Sequence, residues 1–211
     1  MECKVYVLVA QLDLEHPPSK RTVTGSSPVG NTTFFLVKDR KITLNETEQK
    51  ICEYIGKKRY EAARKNNITN RKIGTQSDHF TDVNGFGGEL AFCKLFNVMA
   101  DFFIKKPDSG LPEYDAVLPG GIKVDVKTTP YETGRLLVAK WKTGDVDCYA
   151  LMTGTMPVYT FRGFISKKLA LQDSNIRSLG HGEGYVIEQS TLLELEELYA
   201  VQPASCIPKT L

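Results

Sequence analysis

The chain has 211 residues, of which 41% are hydrophobic and 25% charged, which is enough for one buried core and fits a single soluble domain with an extension. Its formal net charge is +2, so attraction to nucleic acid has to come from a local patch of charge. No apolar run approaches the roughly 18 residues that a membrane helix needs, and the opening VYVLVA is followed by acidic residues rather than by a signal-type cleavage region. These features predict a cytoplasmic protein with no membrane partner.

The first 40 residues have little of the pattern of a folded domain. After the apolar start they contain HPPSKRTVTGSSPVGNTT, which is rich in Ser, Thr, Gly and Pro and has no hydrophobic periodicity. We therefore expect residues 1–40 to form a poorly structured or loosely attached arm, and residues 41–211 to form the domain.

Two helices are predicted at the start of the domain. The first is TLNETEQKICEYIGKKRYEAARKNN, which has acidic residues early and Ile51, Tyr54 and Ile55 at helical spacing. The polar stretch ITNRKIGTQSDHFTD is predicted to be a loop. It leads to the second helix, GFGGELAFCKLFNVM, which we expect to begin near Gly85.

The hydrophobic period then changes from helical to alternating, which is typical of strands. The predicted strands are YDAVL, IKVDVKT, RLLVAKW, CYALM, VYTFRGFI and the shorter GYVIE. The last third ends with STLLELEELYA, a helix opened by a Ser or Thr cap. This order predicts an α/β fold in which a central mixed sheet is flanked by helices.

The segment IKVDVK carries the first sign of chemistry. Because strand side chains alternate, its apolar residues share one face and its charged residues share the other. The charged face presents Asp125 and Lys127 about 7 Å apart along the strand. The preceding strand arrives through the turn PGG, and a loop of that length pairs Leu118 with Ile122, and hence Asp115 with Asp125. The two carboxylates would then lie about 5 Å apart at Cβ, where like charges repel, and a cation would remove the repulsion.

A hard divalent ion such as Mg2+ takes oxygen ligands, typically one or two carboxylates completed by waters and substrate phosphate. Asp115 and Asp125 suit that role, and the backbone carbonyl of Val126 offers a third oxygen. Lys127, on the same face, could orient an attacking water or hold the charge that develops on a phosphate. The arrangement favours phosphodiester hydrolysis.

Glu89 is the fourth candidate residue. Glu89, Phe92, Cys93 and Phe96 follow the i, i+3, i+4, i+7 spacing of one helix face, which places a carboxylate on an otherwise apolar stripe. A buried carboxylate without a partner is costly. The glycines of GFGG would let this helix approach the sheet closely, so we expect Glu89 to reach the metal or its water.

The segments GGELAFCKLFN and PEYDAVLPGGIKVDVKTT resemble the small PD-(D/E)xK domains common in phage and bacterial genomes, whose fold is shared with type II restriction endonucleases. The resemblance covers residues 43–199 and is strongest over 85–129. It implies a restriction-endonuclease-like fold and an Mg2+-dependent deoxyribonuclease in which Mn2+ can substitute. The family's site falls on Glu89, Asp115, Asp125 and Lys127, with the acidic residues as metal ligands. Tyr114 stands in place of the proline of the family's name, which is often replaced.

Two groups of basic residues are candidate nucleic-acid contacts. They are Lys57, Lys58 and Arg59 on the first helix, and Lys140, Trp141 and Lys142 at the end of a strand. The second group combines a stacking surface with charge. The plainer interpretations are a solvated helix face for the first group and a packed strand end for the second.

DNA is the predicted partner and endonuclease the predicted activity. An exonuclease or a Holliday-junction resolvase on the same fold remains an alternative, because these enzymes differ in channel shape and oligomeric state, which the sequence does not give. A homodimer is possible for the same reason. A non-catalytic nucleic-acid-binding domain is the alternative from another class. The presence of all four candidate residues argues against a domain that only binds nucleic acid.

Overall fold

The computed structural model describes residues 37–66, 77–104, 114–140, 144–179 and 182–201. Residues 1–36 of the predicted arm lie outside this described part. Within the remainder of the arm, Val37 is buried and the backbone N–H of Asp39 donates to the carbonyl of Phe161, so this end of the arm packs on the domain. No helix in the described part of the chain combines the length and the apolar character that crossing a membrane requires.

The first two helices are α1 (Glu46–Lys65) and α2 (Asp78–Phe96). Asn45 begins α1: its side chain accepts the backbone N–H of Glu48, whose carboxylate accepts the N–H of Asn45. This reciprocal cap satisfies two donors that a helix start leaves free. The polar start seen in the sequence therefore has a direct structural cause.

The three apolar residues at helical spacing in α1 are not equally buried. Ile55 is buried, whereas Ile51 and Tyr54 are 37% and 62% exposed, respectively. The physical reason is the packing of α2 against Gly56, where a Cβ would lie 2.5 Å from the Cα of Val83. This close approach turns the side of α1 that carries Gly56, rather than Tyr54, toward the core.

The second helix begins at Asp78, not near Gly85, so the last part of the predicted loop is helical and that prediction was wrong. Ser77 caps the helix, since its side chain accepts the N–H of Phe80 at 3.1 Å. A Ser cap followed by an acidic residue in the first turn favours a helix start. These signals and tertiary packing outweigh the poor helix propensity of the glycines that follow.

The strands form two sheets. The larger sheet has the spatial order β1 (Lys41–Thr43), β6 (Val158–Ser166), β5 (Cys148–Thr155), β3 (Ile122–Thr129) and β2 (Ala116–Leu118). It is mixed, because β3 and β5 are parallel while the other neighbours are antiparallel. The smaller sheet has the order β4 (Leu136–Ala139), β8 (Glu183–Ile187) and β7 (Ile176–Ser178). The predicted mixed sheet with helices is confirmed, and the separate smaller sheet was not foreseen.

Apolar clusters lie on both faces of the larger sheet. On one face α1 and α2 pack against it, and the rings of Phe92 and Phe161 lie 6.1 Å apart between α2 and β6. On the other face the smaller sheet covers it, with Leu136 of β4 and Leu151 of β5 in one cluster. The larger sheet is thus the central layer, and β3 lies between the two cores.

The end of the described chain departs from the prediction. The last helix, α4 (Leu195–Val201), begins later than the Ser or Thr cap predicted in STLLELEELYA. Leu193 instead forms an isolated bridge with Phe164, exchanging both backbone hydrogen bonds. The predicted cap residues before it lie in a short 3-10 helix, Gln189–Thr191, instead of at the start of α4. A one-turn helix, α3 (Lys167–Ala170), follows β6 and was also not predicted.

Gly88 sets the distance between α2 and β3. A Cβ there would lie 2.1 Å from Oγ1 and 2.9 Å from Cβ of Thr128, and side-chain rotation cannot move the latter atom. We expect Gly88→Ala to lower the free energy of unfolding by about 1–3 kcal/mol through overpacking. Gly85→Ala is the matched control, because its Cβ meets nothing within 4 Å and alanine favours a helix. Urea unfolding compares the two, and equal losses would contradict this packing.

Candidate active site

A tight turn sets the register of β2 and β3. Leu118 pairs with Ile122, which confirms the predicted pairing. Gly120 and Gly121 in the turn have φ values of 88° and 79°, left-handed conformations that glycine adopts at little cost. The turn chemistry of PGG therefore determines which residues of the two strands face each other.

This register brings Asp115 opposite Asp125. The last ladder pair is Ala116 with Val124, and one further step places Asp115 across from Asp125. The backbone N–H of Asp115 donates to the carbonyl of Val124 at 2.9 Å, and its Oδ2 accepts the backbone N–H of Val126 at 2.8 Å. Asp115 is therefore bound to β3 through both its backbone and its side chain.

Asp125 and Lys127 form an ion pair within β3. The Lys127 Nζ donates to both carboxylate oxygens of Asp125, at 2.7 and 2.6 Å. Their side chains are only 9% and 20% exposed, respectively, and the ammonium lies 6.0 Å from the ring centroid of Tyr149. The apolar residues of β3 point to the other face of the larger sheet, into the apolar cluster that α1 and α2 cover, as the alternation predicts. The strand thus presents a charged pair on a partly covered face.

Glu89 on α2 is paired with Arg59 on α1. Both Glu89 oxygens accept from the Arg59 Nη1, at 3.0 and 2.8 Å, and the Arg59 Nη2 donates to the carbonyl of Asp101 at 2.8 Å. We predicted Arg59 as a nucleic-acid contact from the basic run alone. In the structure its guanidinium is directed inward, with 19% of its side chain exposed, and lies over the ring of Phe86.

Three of the predicted site residues act on the fourth, Asp115. Burial raises the pKa of Asp115 well above its ordinary value, and the negative charges of Glu89 and Asp125 raise it further. The N–H of Val126 and the ammonium of Lys127 act in the opposite direction. Glu89, Asp125 and Lys127 therefore all lie close enough to Asp115 for their charges to act on its carboxyl group.

The cluster fits a cation held by two carboxylates rather than by three. Among the described residues there is no preformed group of three or more His, Cys, Asp or Glu that could hold a metal ion. Arg59 occupies both oxygens of Glu89, and Lys127 occupies both oxygens of Asp125. Two carboxylates with waters and a phosphate suffice for Mg2+. Asp115 and Asp125 can supply them once Lys127 gives up at least one hydrogen bond.

The raised pKa of Asp115 predicts a pH-dependent stability in the absence of metal. The folded state holds this proton to higher pH than the unfolded chain does, so unfolding free energy should fall as pH rises from the ordinary Asp range to the raised pKa. The Asp115→Asn variant should not show this fall in unfolding free energy, because its amide does not titrate. Its amide oxygen still accepts the N–H of Val126. Above that range we expect the variant to be more stable than wild type, because its neutral amide has no proton to lose. Chemical denaturation in EDTA across acidic to neutral pH measures this, and parallel curves would contradict it.

The remaining basic candidates lie on the surface. Lys57 is exposed, whereas the side chains of Lys58 and Lys140, 43% and 48% exposed, each pair with an acidic neighbour. Such exposed pairs contribute little to stability and leave the ammonium groups accessible to phosphate. The other two candidates, Trp141 and Lys142, lie outside the described residues.

Arg59 is the site residue that our sequence analysis placed elsewhere. Cys52, Ile55 and Arg59 follow i, i+3, i+7 spacing, and the first two are buried. A charge on an apolar stripe is the same signal that identified Glu89. The same spacing rule, applied to the first helix, predicts that Arg59 faces inward.

The chain belongs to a family of unknown function, DUF5843, whose profile matches residues 37–205. The match includes α1, α2 and both strands of the cluster. No curated protein matches the chain. The family thus adds no activity, and a functional assignment has to rest on the chemistry of the cluster.

Proposed function

We propose that this protein is an Mg2+-dependent deoxyribonuclease with a restriction-endonuclease-like fold, and that it cleaves DNA internally as an endonuclease. The observation that carries the proposal is the meeting of Asp115 and Asp125 across the β2–β3 turn, with Lys127 bonded to Asp125 and Glu89 within electrostatic reach of Asp115. Carboxylates that repel one another beside an ammonium suit the binding of a divalent cation and a phosphodiester.

In this proposal Asp115 and Asp125 would hold the cation, and Val126 would contribute its backbone carbonyl. The ion would lower the pKa of a bound water and offset charge on the phosphate. Lys127 stabilises the negative charge that develops on the phosphoryl oxygens. Attack of water on phosphorus breaks the bond to the 3′ oxygen, which takes up a proton and leaves a 5′-phosphate on the other fragment. Glu89 orients the attacking water.

A second candidate function is a nucleic-acid-binding domain without catalysis. It is favoured by the fact that Glu89 and Asp125 already have cationic partners for both of their oxygens. Such pairs can be purely structural. Binding of a divalent cation separates the two functions, because a binding-only domain has no need of it.

The test is incubation of the purified full chain with supercoiled plasmid, linear duplex, single-stranded DNA, a four-way junction and RNA, in Mg2+ or Mn2+. We expect cleavage of DNA that is lost in EDTA. Cutting of closed plasmid would identify an endonuclease, degradation only from ends an exonuclease, and selective cutting of the junction a resolvase. DNA binding without cleavage or calorimetric metal binding would favour the second candidate.

A further inference from the structure

Arg59 joins three segments of the chain at the candidate site. From α1 it binds the carboxylate of Glu89 on α2 and the backbone carbonyl of Asp101 beyond α2, and its guanidinium carbon lies 4.7 Å from the ring centroid of Phe86. A planar guanidinium that is held on several sides has one orientation. The carboxylate of Glu89 is therefore held by Arg59 as well as by its own helix.

The placement of Arg59 comes at the expense of its own hydrogen bonding. Its Nε is buried without a hydrogen-bond partner, although buried donors usually find one. The other two nitrogens are directed at Glu89 and Asp101. Arg59 therefore makes its bonds to Glu89 and Asp101 while one buried donor of the guanidinium has no partner.

The pair also sets the charge of the cluster. The side chains of Arg59 and Glu89 are 19% and 13% exposed, respectively, so water screens their charges weakly. Glu89 is bonded to Arg59 and Asp125 to Lys127, so these two carboxylates each have a cationic partner and an ionised Asp115 adds one further negative charge to the cluster. Loss of the Arg59 guanidinium would make the cluster more negative by one charge.

We propose that Arg59 is a positioning residue of the active site, which holds and neutralises Glu89 so that Asp115 and Asp125 bind the divalent cation and Glu89 stays outside its ligand set. This inference rests on the proposed nuclease function. It predicts an unusual combination: loss of the Arg59 charge strengthens cation binding, because the site becomes more negative, while cleavage slows, because Glu89 is no longer held. A purely structural role would weaken both.

The experiment compares wild type, Arg59→Gln, Glu89→Gln and the double variant by Mn2+ calorimetry and by DNA cleavage. We expect Arg59→Gln to tighten Mn2+ binding at least about threefold, the scale of one charge acting across a few ångströms of partly screened protein, and to slow cleavage at least about tenfold. Glu89→Gln should weaken Mn2+ binding, and the double variant should return it to near the wild-type value. Such cancellation is the signature of coupling between the two side chains.

Two further variants separate charge, position and fold. Arg59→Lys keeps the charge without the planar guanidinium, so it should retain wild-type Mn2+ affinity but cleave slowly. Arg64→Gln is the matched control, because Arg64 also joins α1 to α2, through Asp78 at 3.0 Å, away from the cluster. It should change stability in EDTA without changing Mn2+ affinity.

The results distinguish this inference from the proposed function. Wild-type protein that neither binds Mn2+ nor cleaves DNA would overturn both. Wild-type protein that does both, together with an Arg59→Gln variant whose Mn2+ affinity is unchanged or weaker, would overturn the inference about Arg59 alone. An equal shift in Mn2+ affinity for Arg64→Gln would also overturn it, because the effect would then be general to the helix pair.

Discussion

Lys127→Ala is expected to lower the rate of DNA cleavage at least about 100-fold, the scale measured when an enzyme loses one group that stabilises transition-state charge. The Lys127 ammonium is partly buried and lies on the same strand face as Asp125. No other cation is bonded to that carboxylate among the described residues. Single-turnover cleavage with saturating Mn2+ isolates the chemical step. Cleavage within a few-fold of wild type would remove Lys127 from the mechanism.

The same variant has a second signature. Lys127 competes with a cation for the Asp125 oxygens, so its removal should leave Mn2+ binding intact or tighter. In EDTA the unpaired Asp125 should destabilise the fold, and Mn2+ should restore stability. Lys123→Ala is the matched control, because Lys123 lies on the same face of β3 but pairs with the exposed Asp145. It should cleave DNA as wild type does.

Asp125→Asn is expected to weaken Mn2+ binding by about 10-fold or more and to lower cleavage with it. An amide oxygen is a weaker ligand than a carboxylate for a hard cation. Losses of 10- to 100-fold are typical when even outer partners of metal ligands are replaced. Calorimetric titration at several pH values measures the affinity directly.

Asp145→Asn is the control for this change, because it removes a carboxylate of the same type whose side chain is 84% exposed. Mn2+ affinity should be unaffected there. Equal, small effects of Asp125→Asn and Asp145→Asn would indicate that the cluster is a set of structural ion pairs. Comparison of Asp125→Asn with Lys127→Ala separates metal binding from charge stabilisation. Asp125→Asn is expected to lose the cation, and Lys127→Ala is expected to keep it.

The β2–β3 part of the candidate site could be predicted from the sequence because it depends on local rules. Side chains alternate along any strand, and a short loop with glycines at left-handed φ restricts the register of a hairpin. Leu118 opposite Ile122 follows from these rules alone. The position of Asp115 relative to Asp125 then follows from counting.

The partners of the charged groups could not be predicted in the same way. Arg59 and Glu89 are thirty positions apart, and their meeting depends on how α1 packs on α2. That packing in turn depends on Gly56 admitting Val83, a contact that no single-helix pattern reports. The basic run on α1 therefore suggested a solvated face, although Arg59 points away from it.

Hydrophobic period, caps and turn residues are properties of neighbouring positions, so the sequence by itself determined the α/β class, most strands, the β2–β3 register and the acidic and basic residues that face each other there. The tertiary structure decided what depends on distant segments. It moved the start of α2 to Asp78, separated β4, β7 and β8 into a second sheet, and gave Glu89 its partner. Long-range packing selects among arrangements that local propensity leaves nearly equal in free energy.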